Sequence, residues 1–323
     1  MLSHDNVTWN AQAIAERLPE IQRGHEVLIS YLPLSHIAAQ MVDIFLSILY
    51  SVTVYFADKD ALKGSLVKTL QEANPTRFLG VPRVYEKIHE KMASIGSQMT
   101  GIKKIISTWA KSVTLQHWLD VLDGKDVQSL QYKIAKNFIL SKAKAALGFS
   151  RCKTIASAAA PMSVDVKRYF MSLDLPVVEA FGMSESGGAH CISHPEFFNL
   201  ETVGKQLAGV ETKLLNKDEN GHGEVCMRGR HVFMGYINEP VKTDEAMNDE
   251  GWLLSGDLGY IDEKGFLYIT GRIKELIITA GGENIPPVHV EHLVKKEIEG
   301  ISNAFLVGDK RKYLTMLIAI KVS

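Results

Sequence analysis

Cysteine is sparse in this 323-residue chain: only Cys152, Cys191 and Cys226 occur, far apart in sequence. Three scattered thiols fit a reducing compartment better than a disulfide framework, so a cytoplasmic location is expected. Long apolar runs are lacking too. The most apolar stretch, Met41 to Phe56, contains Asp43 and falls short of the ~20 residues that a membrane span needs. It reads as a buried helix leading into a strand at Val52 to Phe56, and no signal-peptide pattern is evident. Neither sign of charge is in excess, with 36 Lys and Arg against 37 Asp and Glu, so no nucleic-acid partner is expected. No repeat, no low-complexity segment and no GxxxxGK[ST] loop or equivalent Gly-rich, Lys-ending segment occurs. His190, Cys191 and His194 match no common zinc spacing and lack a fourth ligand, so no zinc centre is expected there.

What is present is an ordinary globular composition, 46% hydrophobic and 23% charged, long enough for about two domains. Short apolar strands alternate with helices, which predicts a layered α/β architecture. Lys63 to Ala73 reads as a helix stopped by Asn74-Pro75, and Arg77 to Val81 as a strand before Pro82 starts the next helix. Val210 to Gly229 is richer in strand, with Asp218 to Gly223 as a loop. Further on, a strand at Leu276 to Thr279 precedes a helix with Pro287 at its start and Val290, Leu293, Val294 and Ile298 on one face. Ala304 to Val307 and Leu314 to Val322 read as strands.

Between Arg83 and Lys153 the charge balance shifts, with 13 Lys or Arg against 5 Asp or Glu. Val84, Ile88, Met92 and Ile95 recur at helical spacing, as do Leu130, Ile134 and Phe138, with lysines on the other faces. A basic amphipathic region of this kind either lies on an anionic membrane or is the solvated face of a soluble domain.

The most telling stretch is Ser255 to Pro287, SGDLGYIDEKGFLYITGRIKELIITAGGENIPP. Asp262-Glu263-Lys264-Gly265 is hairpin-turn chemistry between Leu258 to Ile261 and Phe266 to Ile269, with Gly265 free to take a positive φ. Such a hairpin holds Asp257 and Arg272 at fixed separation near its open end. Asp257 can accept two hydrogen bonds from a vicinal diol, and Arg272 can reach the same sugar or a phosphate, each bond contributing ~1.5–3 kcal/mol. The alternative is a surface ion pair worth ~0–1 kcal/mol.

Six ordered blocks carry a resemblance to the adenylate-forming enzymes, the superfamily of acyl-CoA synthetases, luciferases and peptide-synthetase adenylation domains. They are YLPLSHIAAQ (31–40), PTRFLGVPRVYEKI (75–88), SAAAPM (157–162), EAFGMSES (179–186), GHGEVCMRG (221–229) and the Ser255 to Pro287 stretch. EAFGMSES resembles the family's Tyr-Gly-x-Thr-Glu motif with Phe181 and Ser184 substituted. In combination the blocks look most like the bubblegum type of long-chain acyl-CoA synthetase, and PTRFLGVPRVYEKI argues for a fatty acyl substrate over an amino acid.

The resemblance implies a reaction in two halves. A fatty acid carboxylate attacks the α-phosphate of ATP to give acyl-adenylate and pyrophosphate; coenzyme A then displaces AMP. It implies nucleotide contacts from Ala158, Ala159 and Ala160 on the adenine side and from Glu179, Ala180, Phe181, Gly182, Met183 and Ser184 in one turn. There Gly182 would admit the nucleotide and Ser184 would donate to phosphate. Glu185 would bind Mg²⁺, Asp257 the ribose hydroxyls with help from Arg272, and Gly281, Gly282 and Glu283 would be presented at the thiol channel. Lys274 would sit at the hinge on which a small domain turns. His36, a lone histidine that would ordinarily be a satisfied core residue, lies in the family by the acyl and thiol path.

In domain terms the resemblance implies an incomplete large α/β domain over 1–271 with a strand-rich, barrel-like subdomain at about 205–271. A hinge at 272–275 and the start of a small α+β domain at 276–323 follow. The family's Ser/Thr/Gly-rich phosphate loop is absent: MLSHDN resembles the residues just after it, and Ser323 falls before the family's adenylation lysine. A chain truncated at both ends is therefore expected, with little or no adenylation activity by itself. Several charge-assisted bonds of ~1.5–3 kcal/mol and a cationic donor worth ~2.7–4 kcal/mol would be lost. The alternatives are a non-catalytic binding or regulatory product and an adenylating enzyme for another carboxylate. A peripheral position on the endoplasmic reticulum membrane, through the basic 83–153 region, is a further expectation.

Overall fold

Ser3 caps the first helix, α1 (His4–Arg17), of the computed structural model: its hydroxyl accepts the Asn6 N–H while the Asn6 side chain accepts the Ser3 N–H. The structure describes residues 1–18, 21–125, 128–194, 198–281, 283–298 and 300–321. It divides into two units, Met1–Val210 with Gly229–Pro240 and Glu211–Arg228 with Val241–Ser323.

In the first unit β1 (Val27–Ser30) pairs parallel with β2 (Thr53–Phe56). Between them the expected helix forms in three pieces, α2 (Ile37–Ala39), a π-helical stretch (Gln40–Leu46) and α3 (Ser47–Tyr50); it buries Met41 and Leu46 but, against expectation, leaves Ile48 and Leu49 exposed. Helix α4 (Leu66–Ala73) ends at Asn74 in the left-handed conformation, as the Asn-Pro pair predicts, and β3 (Arg77–Gly80) follows. Pro82 stands in the first turn of α5 (Pro82–Ser97). After it come α6 (Gly101–Leu122), α7 (Leu130–Ile134), a second π-helical stretch (Ala135–Leu140) and α8 (Ser141–Leu147). Strand β4 (Thr154–Ser157), α9 (Val164–Ser172), β5 (Val177–Met183), β6 (Gly188–Ile192) and β7 (Lys205–Gln206) complete the unit's elements.

Strands β3, β4 and β5 run parallel, as their helical crossovers require, while β5, β6 and β7 run antiparallel. The helices bury Phe78, Tyr85, Phe149 and Phe170 against the parallel strands, with Tyr85 and Phe170 edge to face at 5.2 Å. Leu130, Ile134 and Phe138 face solvent, and the core side of their segment is made by Tyr132, Ala135 and Leu140.

The second unit starts with β8 (Glu211–Leu215) and β9 (Gly223–Arg228), followed by α10 (Pro240–Ala246), β10 (Leu253–Ile261) and β11 (Leu267–Arg272). The barrel-like subdomain expected at about 205–271 is instead an open antiparallel sheet in the order β11-β10-β9-β8. Four strands are too few to close on themselves, and β7 belongs to the other sheet. Beyond it lie β12 (Ile277–Ile278), β13 (Asn284–Ile285), α11 (Pro287–Glu297), β14 (Ile301–Val307) and β15 (Thr315–Ile320), the strands paired two by two as antiparallel ladders. Glu291 of α11 accepts the Leu306 N–H at 2.7 Å and so ties the helix to β14. Of the apolar face expected on α11, Val290 and Val294 are half-buried while Leu293 and Ile298 are exposed.

Candidate active site

The EAFGMSES block forms the end of β5 and a 3₁₀ turn, Ser184–Ser186, that reverses the chain into β6. The turn is fixed from within and from behind. The Ser186 hydroxyl accepts the Met183 N–H at 3.0 Å and donates to the Gly188 carbonyl at 2.8 Å. From α1, the buried Asn10 amide donates to the Ser186 and Ala189 carbonyls. Gly182 is required by close approach: a Cβ there would lie 1.9 Å from the Gly188 carbonyl oxygen. Its smallness thus serves the β5–β6 ladder. Ser184 is exposed, and Phe181, Met183 and Ala180 are half-buried.

Glu179 is buried, accepts the Met162 N–H at 2.9 Å and pairs with Lys167 Nζ at 3.0 Å. Burial pushes its pKa up while Lys167 pulls it down. Lys167 also donates to the Leu200 carbonyl. The pair clamps α9 to β5 and leaves the side chain no free face.

Glu185 is held by a strap that no local spacing in the sequence announces. Its carbonyl accepts the Phe233 N–H at 2.7 Å, and its Oε1 accepts the Tyr236 hydroxyl at 2.7 Å. The strap is anchored by the Asn6 amide, which donates to the Arg230 and Val232 carbonyls, and by the Arg230–Asp5 ion pair. Beneath it the imidazoles of His190 and His231 stack, with Nδ1 and Nε2 at 2.9 Å. Burial depresses both pKa values, to about 3 and about 4, so both rings are neutral at pH 7. Partners more than 200 residues apart, such as Asn6 and Arg230, leave no signal in a sequence window.

A cavity of about 250 Å³ opens beyond the carboxyl ends of β1, β3 and β4, where parallel-strand folds bind ligands. Leu32, Pro33, His36, Val81, Ala158 and Ala159 are among its walls, and most of them are apolar. Three separate sequence blocks therefore meet at one place. His36 also caps α2, its Nδ1 accepting the Ala38 N–H at 3.2 Å. Ala159 holds φ at +79°, a left-handed conformation that costs an alanine ~1–2 kcal/mol and that recurs at functional sites. Ala160 is exposed beside it.

In the second unit β10 and β11 form the expected hairpin, with Gly265 at φ +80° in its turn. Asp257 and Arg272 are direct cross-strand partners, and Arg272 Nε donates to Asp257 Oδ1 at 2.8 Å. A bulge between Leu254 and Leu258 bends β10 off β9; there the Gly256 N–H bonds Glu224 and the Asp257 N–H bonds the Ser255 hydroxyl. Asp257 is buried and Arg272 about half exposed. Burial holds the Asp257 carboxyl above the ordinary value against the pull of Arg272. Lys274 is exposed in the 3₁₀ turn Ile273–Glu275. Gly281 and Glu283 are exposed on the loop between β12 and β13, which is closed by the Thr279 hydroxyl accepting the Glu283 N–H at 3.2 Å. Gly282 lies outside the described residues. Among the described residues no cluster of three or more His, Cys, Asp or Glu could hold a metal by itself. A lone carboxylate such as Glu185 suits Mg²⁺, which keeps waters and takes its other ligands from substrate phosphates.

A family model described as AMP-binding enzyme matches residues 1–237. The chain is 52% identical over 99% of its length to the long-chain-fatty-acid–CoA ligase ACSBG2 of Xenopus laevis, of which it covers 44%. It is 48% identical over 99% of its length to the ACSBG2 of Homo sapiens, of which it covers 48%. The chain thus spans less than half of each relative. Among solved structures, an ATP-bound chimera of RpMatB and BxBclM superposes with a TM-score of 0.72 at 24% identity, over 100% of this chain and 55% of that one.

Proposed function

The chain belongs to the AMP-binding enzyme family, and from that membership we propose that the protein carrying it is a long-chain-fatty-acid–CoA ligase. It joins a fatty acid to coenzyme A through an acyl-adenylate, with ATP and Mg²⁺. The observation that carries this reading is the 52% identity, over 99% of the chain, to a relative named for that activity. The geometry supports it. The largely apolar cavity beside His36 suits an acyl chain, and Ala158 to Ala160 offer a base a flat, small-residue surface. Asp257, preset by Arg272, takes the ribose hydroxyls. Mg²⁺ would be held by Glu185 and by phosphate oxygens, where it neutralises charge on the phosphates. Lys274 and the 281–283 loop serve the second half-reaction. Three free thiols support a cytoplasmic setting, and contact of the basic 83–153 region with the membrane that holds the substrate belongs to the same proposal.

A stable bisubstrate mimic, hexadecanoyl-sulfamoyl-adenosine, tests the reading by calorimetry without demanding turnover. The mimic is expected to bind this chain at least tenfold more tightly than its acetyl counterpart. Asp257→Asn should weaken it ~10–100-fold, the worth of one or two charge-assisted bonds. Binding indifferent to acyl length and to Asp257 would overturn the proposal.

A further inference from the structure

A carboxylate that meets a cation without other protein ligands has to be held still by its surroundings. Mg²⁺ takes near-ideal octahedral geometry, and its remaining ligands are waters and phosphate oxygens that impose no angle on the protein. A glutamate side chain rotates freely and loses that freedom on binding unless something fixes it beforehand. The turn Ser184–Ser186 fixes the Glu185 backbone, but the bond to its carboxylate comes from Tyr236, 51 residues further along the chain and in the same unit.

The Tyr236 hydroxyl donates to Glu185 Oε1 at 2.7 Å. A neutral donor satisfies one oxygen and leaves the charge of the carboxylate in place. Glu185 is half-buried, and among the described residues no donor reaches its Oε2. The tyrosine is itself tightly placed. Phe233 is buried, and its ring meets the Tyr236 ring edge to face at 4.9 Å. Because the Phe233 N–H donates to the Glu185 carbonyl at 2.7 Å, one short segment holds the glutamate by its backbone and by its side chain. Upstream, the Asn6 amide donates to the Arg230 and Val232 carbonyls, and the buried His231 bonds His190. The segment from Gly229 to Tyr236 is thus clamped to α1 and β6, and its last side chain reaches the carboxylate with little freedom left to lose.

We propose that Tyr236 is a positioning residue for the cation, a role that rests on the reading of Glu185 as the Mg²⁺ ligand. Its hydroxyl presets the Glu185 carboxylate so that Oε2 is presented to a divalent ion carried by nucleotide phosphates. Hydrogen bonds to a ligating carboxylate are typically worth ~10–100-fold in metal affinity. Phenylalanine separates this role from packing, since it keeps the ring on Phe233 and loses only the donor.

Manganese binding tests the role, followed by electron paramagnetic resonance of the free ion in the full chain with ATP and no fatty acid; Mn²⁺ shares the oxygen-ligand preference of Mg²⁺. Tyr236→Phe should weaken Mn²⁺ in the ternary complex ~10–100-fold, and Glu185→Gln at least as much. The two together should lose no more than Glu185→Gln alone, because the hydroxyl acts only through the carboxylate. Metal-free AMP affinity and melting temperature should be the same in Tyr236→Phe as in the unsubstituted chain, a pattern that a merely structural loss would not give. Tyr236→Phe that binds Mn²⁺ normally while Glu185→Gln does not would overturn the positioning role and leave the Glu185 reading standing. Glu185→Gln without effect, or no manganese–ATP complex in the unsubstituted chain, removes ligand and positioning residue together. Additive losses in the double variant, or weakened metal-free AMP binding in Tyr236→Phe, assign the hydroxyl to the nucleotide or the fold and likewise overturn the proposal.

Discussion

Lys167 and Glu179 form a buried ion pair that ties α9 to β5. Both side chains are almost fully buried, so removing one partner leaves an unpaired charge in the interior. Lys167→Met should destabilise the fold by ~3–5 kcal/mol, and Lys167→Met with Glu179→Leu should recover most of that loss; urea denaturation measures both. Asp43 behaves differently. Burial raises its pKa to about 6 against a hydrogen bond from Ser30. A carboxyl raised in the folded state favours folding at low pH and loses that contribution as pH rises from about 4 through 6. Asp43→Asn should therefore stabilise by ~1–2 kcal/mol at pH 7, after discount for partial exposure, with the gain vanishing below pH ~4. His190 and His231 carry the opposite slope. Their pKa values are depressed, so their contribution is intact above pH ~6.5 and is lost as pH falls toward 4. His190→Gln should flatten the acid limb of a denaturation-midpoint profile. Asp257 and Arg272 were legible in the sequence because a turn of known chemistry set their register. Tyr236, Asn10 and His231 were not, since each acts on a partner that only the fold brings near.

At the scale of elements, turns and helix boundaries were the legible part. Asn74-Pro75, Pro82 and Asp262 to Gly265 act on their immediate neighbours, and the structure puts a helix stop, a helix start and a hairpin there. Helical periodicity was less decisive. It located the apolar stripe Leu130, Ile134 and Phe138 but could not say whether core or something external faces it, because period carries no information about neighbours. Closure of the second unit's sheet was likewise beyond reach, since strand count and pairing order are set by tertiary contacts. The reason for Gly182 also emerged only with β6 in place. Gly182→Ala must push the Gly188 carbonyl away, at a cost of ~1–3 kcal/mol or more. A lower melting temperature should accompany any loss of ligand binding, whereas Asp257→Asn should lose binding at unchanged melting temperature.

At the scale of the whole molecule, family membership and α/β layering rest on features spread across the chain, and these were readable from six ordered blocks. Each unit holds part of what the proposed reaction needs. The first has the cavity beside His36 and the braced Glu185 turn; the second has the Asp257–Arg272 hairpin and Lys274. The chain spans 44% of its Xenopus relative, so the decisive measurement joins this chain to whatever segments of that relative it does not match. In the joined protein, hexadecanoate should drive exchange of labelled pyrophosphate into ATP. An acetate or amino acid substrate should not, and Asp257→Asn should reduce exchange at least tenfold. A joined protein that binds ATP yet shows no exchange with any long-chain fatty acid would contradict the assignment.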